Sequence, residues 1–141
     1  MRFLKIVLCA GLCMTLTGCG AEQEIQAKMA RGCEAAVKAM LSKDIYDRQI
    51  ESVNGSKFGM SDGYRLVTID VTSKTKEFND PVEDSFSCKF EETKVLGFLG
   101  WKAALVQVKI DDVIYGSDGG ELFGTVEDQM ALTAAVEAAM K

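Results

Sequence analysis

Apolar residues recur at three- and four-residue steps through residues 22–43, at Ile25, Met29, Cys33, Val37, Met40 and Leu41. That spacing predicts a helix with one buried face. Glu22, Gln23, Glu24, Lys28, Arg31 and Lys38 fill much of the remaining surface. Acidic residues open this segment and Lys43 closes it, the order the helix dipole favours. Gly32 sits inside it, at a cost of up to about 1 kcal/mol relative to Ala, which marks close packing beside Cys33.

The pattern then changes period. Residues 47–58 are ambiguous, because Ile50 and Val53 do not alternate. Ser61-Asp62-Gly63 is a turn signal. Residues 64–72 predict a strand with Val67, Ile69 and Val71 on one face and Tyr64, Leu66, Thr68 and Asp70 on the other. Asn79-Asp80-Pro81 breaks the chain, since Pro81 biases Asp80 away from helix. Residues 82–93 alternate again, with Phe86, Cys88 and Phe90 against Ser85, Ser87, Lys89 and Glu91. An apolar connection at residues 95–100 leads to a strand at 101–110, with Ala104, Val106, Val108 and Ile110 along one face. Asp111-Asp112 reads as a tight turn into Val113-Ile114-Tyr115, and residues 116–120 as a loop. A last helix starts near Thr125, where Thr125 and Asp128 have capping-box spacing. Val126, Met130, Leu132, Thr133, Val136 and Met140 share one side of it, with Ala131, Ala134 and Ala138 opposite.

Helix, strands, helix in that order predicts an α+β domain, with an antiparallel sheet of about four strands and both helices on one face. Cys33 lies on the apolar face of the first helix and Cys88 on the apolar face of a strand. Two independent periodicities therefore direct both sulfurs into one core.

The amino terminus has a third pattern. Arg2 and Lys5 are the only charges before Glu22, and the apolar run of residues 6–16 follows them. It is too short for a membrane span, which needs roughly 20 apolar residues, and it lacks the polar face of a core helix. A positive start, a short apolar middle and small residues before a cut are the anatomy of an export signal. Leu16-Thr17-Gly18-Cys19 resembles the lipobox of bacterial lipoproteins. The resemblance implies cleavage before Cys19 and a lipid, palmitate included, on the Cys19 sulfur. It divides the chain into a signal peptide at 1–18, a lipid attachment site and short tether at 19–21, and one globular domain at 22–141. Gly20 rather than Asp follows the cysteine, which in Gram-negative lipoproteins favours the outer membrane, facing the periplasm. One acyl chain binds a bilayer only marginally, and lipoprotein cysteines carry two or three.

This reading reassigns charge and cysteines. Loss of Arg2 and Lys5 moves the formal net charge from −5 to −7. So acidic a domain is a poor match for nucleic acid or for an anionic membrane surface, leaving the lipid as the membrane contact. Cys9 and Cys13 leave with the signal and Cys19 carries lipid, so Cys33 and Cys88 remain. An even pair in an exported chain reads as a disulfide. A redox pair would sit closer in sequence, and structural zinc needs four ligands.

Catalytic chemistry finds little material. With no histidine there is no Ser-His or Cys-His pair. Glu91-Glu92 and Asp111-Asp112 are adjacent acids, and neighbours on a strand face opposite ways. Asp111, Asp112, Asp118 and Glu121 offer oxygens for calcium, but not at EF-hand spacing. Asn54-Gly55-Ser56 reads as a turn, and Phe98 with Trp101 as core or as an exposed aromatic tip. No catalytic, cofactor-binding or metal-ligating residue is assigned.

The segment from Val67 to Asp70, with Asn79 and Cys88, is similar to the strand–turn–strand–Cys stretch of small envelope lipoproteins such as the secretin pilotins of type II secretion. That resemblance implies a non-enzymatic, membrane-anchored protein that binds or assembles another envelope protein. A periplasmic binder of a small ligand or ion, using Tyr64, Trp101 or Tyr115, is the alternative. A carboxylate-dependent hydrolase comes third.

Overall fold

A computed structural model describes residues 17–95 and 100–141, with Thr17 to Cys19 and Val95 as backbone only. The charged start, the apolar run and Phe98 lie outside the described residues. The order is α1 (Thr17–Leu41), β1 (Arg48–Ser61), β2 (Tyr64–Thr75), β3 (Pro81–Val95), β4 (Gly100–Ile110), β5 (Val113–Asp118), β6 (Glu121–Phe123) and α2 (Val126–Ala139). The strands form one antiparallel meander in sequence order. The α+β class and the helix–sheet–helix order therefore hold, and the sheet has six strands rather than about four.

The first helix follows its periodicity. Met29, Cys33, Ala36, Val37, Met40 and Leu41 are all buried against the sheet. Its backbone is helical from Thr17, a turn before Glu22, so no acidic residue stands in its first turn. At the other end it stops at Leu41, short of Lys43. There the Lys76 ammonium donates to the Leu41 carbonyl (2.8 Å) and the Lys43 carbonyl (3.3 Å). A cation from the β2–β3 turn thus satisfies carbonyls that the helix end leaves open.

Cys33 and Cys88 are disulfide-bonded, with Cα atoms 5.7 Å apart. The bond ties the middle of α1 to the middle of β3, inside a core that includes Val67, Ile69, Val71, Phe86 and Phe90. It closes a loop of 55 residues; in the chain-entropy model such a loop stabilises the fold by about 4 kcal/mol.

The second helix runs antiparallel to α1. Its capping box is complete: Thr125 and Asp128 exchange side chain–backbone hydrogen bonds of 3.0 and 3.1 Å. Asp128 also accepts from Lys43 at 2.7 Å, joining the start of α2 to the residues just past α1. At the far end the Arg31 guanidinium donates to the Ala139 carbonyl. Leu132 and Val136 are buried, but Val126 and Met130 are 60% and 68% exposed, and Thr133 is exposed too. The buried stripe is therefore narrower than the wheel implied and centred on the line from Asp128 to Met140, because α1 sets which face turns inward.

Two strand readings change. Residues 48–61 form a full strand at the sheet edge, largely exposed. The Asn54-Gly55-Ser56 run lies within it, where the register with β2 shifts between Val53 and Gly55. Strand β4 does not keep one face. Cys88 pairs with Val108 and Phe90 with Leu105, so an extra residue sits in β4. This β-bulge reverses the alternation: Val108 and Ile110 face the core from one half, Trp101, Ala103 and Leu105 from the other. Val106 is buried outside that core cluster.

The bulge explains a glycine. Gly116 pairs with Gln107 and has φ +129°. A Cβ there would stand 2.1 Å from the Val106 carbonyl oxygen. Residues 116–118 accordingly continue β5 instead of forming a loop, with the turn at Gly119-Gly120. The Asp111-Asp112 turn is as read, joining paired Ile110 and Val113. Gly116→Ala is expected to cost about 2–4 kcal/mol in urea unfolding, from backbone strain plus the clash. Gly55→Ala, with nothing within 4 Å of the added carbon, is expected to change stability by about 0.5 kcal/mol or less. Equal effects would contradict the bulge.

Candidate functional site

The reversal in β4 places Trp101, Ala103 and Leu105 on the helix-covered face, but α2 does not lie flat upon them. A cleft of about 570 Å³ opens between the first half of β4, the second half of α2 and Lys28 of α1. Its apolar surface comes from Trp101, Ala103, Leu105, Leu132, Val136 and Met140. Lys28, Lys102 and Lys141 line it as well, with Glu137 as the one acid. Gln129 and Thr133 supply polar groups, and the Gln129 amide donates to the Thr133 hydroxyl at 3.4 Å. The Gln129 carbonyl oxygen is buried with no donor among the described residues. An orphaned acceptor of this kind costs roughly 1–3 kcal/mol.

Trp101 is held in place by a charged clamp. Its indole N–H donates to Glu92 at 2.8 Å. The Arg65 guanidinium donates to Glu92 at 2.6 Å and to Glu22 at 2.7 Å. The first turns of α1 are thus tied through β2 and β3 to the wall of the cleft. The Arg65 hydrogen bond, with the Trp101 N–H and positive charge nearby, holds the Glu92 carboxyl below its usual range against the opposing effect of burial. Trp101 is half-buried rather than an exposed tip.

The remaining candidates do not converge. Glu91 and Glu92 are neighbours on β3 with opposite orientations, and Glu92 is engaged by the clamp. Asp111 pairs with Arg48 at 2.7 Å, while Asp118 accepts from the Tyr64 hydroxyl at 3.0 Å. Asp111 and Asp112 stand at one end of β5, Asp118 and Glu121 at the other. Among the described residues no three His, Cys, Asp or Glu side chains are grouped to hold a metal ion. Tyr115 bonds to Tyr46 at 2.6 Å, oxygen to oxygen. Burial, together with that bond, pushes the Tyr46 phenol far above its ordinary pKa. Of Tyr64, Trp101 and Tyr115, only Trp101 lines the cleft. No sequence motif marked this site, because its residues come from two helices and a strand and each reads alone as core or surface.

No helix among the described residues is long and apolar enough to cross a membrane. Compared with known protein families, characterised proteins and solved structures, the chain matches none.

Glu92 and Asp128 both hold carboxyls whose folded-state pKa lies below the ordinary value, each chiefly through a hydrogen bond from a cation, Arg65 and Lys43 respectively. Such groups contribute stability above their unfolded pKa, near 4, and lose it as pH falls through the depressed value. Melting temperature is expected to hold between about pH 7 and pH 5 and to fall progressively below about pH 4. Glu92→Gln should lower it at neutral pH, flatten the acid decline and shift Trp101 emission. An unchanged acid decline would contradict the clamp.

Proposed function

We propose that this protein is a lipid-anchored, non-enzymatic adaptor of a bacterial cell envelope, held through Cys19 and receiving a segment of another envelope protein in the cleft between β4 and α2. The observation that carries the reading is the cleft: a concave apolar floor, open to solvent, built from β4 and α2. Helix-in-groove and related docking modes use such surfaces. The signal pattern and lipobox support the anchor and an outer-membrane, periplasm-facing location. The Cys33–Cys88 bond fits an oxidising compartment. The unbroken backbone helix from Thr17 through Leu41 supports a domain held close to the bilayer. Acidity and the dispersed carboxylates support binding over hydrolysis and give no footing for nucleic acid.

A small amphiphilic ligand is the second reading, favoured by the cleft volume, which falls within the roughly 300–1,000 Å³ of small-molecule sites.

Two measurements test the adaptor reading. Cys19→Ser is expected to move the protein from membrane to soluble fractions; retention in membranes would overturn the anchor. A photoreactive residue at Thr133, on the cleft wall, is expected to give a discrete protein adduct in the native host, abolished by Leu105→Glu. The same probe at Ser85, on the opposite sheet face, should give none. Absence of any adduct at Thr133, or an adduct equally strong at Ser85, would overturn the cleft as the docking site.

A further inference from the structure

We infer that the occupant of the cleft is an acidic, apolar polypeptide segment: large apolar side chains flanked by carboxylates, with backbone or side-chain amides to donate. The inference rests on the adaptor reading and names the chemistry of its partner. Charge is the first argument. The domain carries 14 basic and 21 acidic residues once Arg2 and Lys5 are removed, yet the cleft is lined by three lysines and one acid. One of the lysines, Lys28, has a long 3.6 Å contact with Glu24, itself well exposed. Lys102 and Lys141 make no ion pair with the described residues. An acidic domain thus presents three lysines around an apolar floor. Carboxylates on an incoming chain meet those lysines, and complementary charge of this kind sets orientation and partner choice.

The second argument separates a polypeptide from an alkyl chain of the same charge. The buried Gln129 carbonyl oxygen needs a donor. A fatty acid carboxylate has none, whereas every peptide unit but proline has an N–H. That oxygen is buried as the amide now stands, with the nitrogen bonded to Thr133, so docking through it requires the amide to turn as the occupant enters. Gln129 is therefore a specificity-determining residue for an amide-bearing ligand, and the lysines for its charge. Trp101, the chain's single tryptophan, lies in the wall and reports the event.

The test uses the full-length protein in nonionic detergent, followed by Trp101 fluorescence. Three probes are titrated: a twelve-residue peptide of alternating leucine, phenylalanine and glutamate pairs, the same peptide with lysine for glutamate, and dodecanoate. The acidic peptide is expected to shift Trp101 emission and to bind at least about tenfold more tightly than the lysine peptide, with affinity falling as salt rises. The triple variant Lys28→Glu, Lys102→Glu, Lys141→Glu should reverse that preference, and the corresponding Lys→Arg variant should keep it. Gln129→Met should weaken the acidic peptide several-fold without lowering the protein's own melting temperature, since it removes an orphaned acceptor. Preference for the lysine peptide, no response to either peptide, or a response to dodecanoate alone would overturn the inference. A Thr133 adduct that survives the triple Glu variant would overturn it while leaving the adaptor reading in place. Loss of the adduct in every background removes that reading first.

Discussion

The disulfide between Cys33 and Cys88 is the constraint around which the rest of the domain is arranged. It fixes the middle of α1 over the middle of β3, and both sulfurs are buried in the core. One heptad-like stripe of α1 then packs over the inner faces of β2 and β3, where Val67, Ile69, Val71, Phe86 and Phe90 lie. The second helix has little sheet of its own. It lies antiparallel beside α1, held by Lys43–Asp128 at one end and Arg31–Ala139 at the other. Gly32, next to the bridging cysteine, leaves room for Met140 to pack close, so the bridge and the helix pairing share one site.

From that arrangement the cleft follows. α2 is positioned chiefly by α1, through Lys43–Asp128, Arg31–Ala139 and the Gly32–Met140 approach, and not by β4. The bulge turns Trp101, Ala103 and Leu105 inward in the half of β4 that α2 does not close. Without the bulge, the alternation through Val108 and Ile110 would put Lys102 and Ala104, not Trp101, Ala103 and Leu105, on the core face. The bulge in turn depends on Gly116, since any Cβ would collide with the Val106 carbonyl. A backbone detail on β5 thus shapes the cleft wall built from β4.

Much of this was legible in the chain. Segments with one buried and one solvated face carry their period openly, which is why α1, β2 and β3 were placed correctly and why both cysteines pointed inward. The two strand turns at Asp62-Gly63 and Asp111-Asp112 were signalled by residues that tolerate positive φ, and Asp62, Gly63 and Asp111 adopt it. What failed was non-local. β1 is an edge strand with polar residues on both sides, so nothing in its pattern distinguishes it from a loop. The face of β4 depends on pairing with β3 and on Gly116, eleven positions beyond Leu105. The face of α2 depends on α1, so the wheel groups Met130 and Val126 with Leu132 and Val136 although only the latter two are buried. The cleft itself is a product of the last two, the face of β4 and the face of α2, which is why no motif announced it.

Docking in the cleft, and not at the sheet edge or the loops at the far end of α1, has a backbone signature of its own. Amide hydrogen exchange of the membrane-extracted protein, with and without its crosslinked or co-purified partner, tests it most directly. New protection is expected to be confined to residues 100–105 and 129–141, with the β1 edge unchanged. Protection along β1, or around Ile45 and Phe78 with the cleft still exchanging, would contradict it.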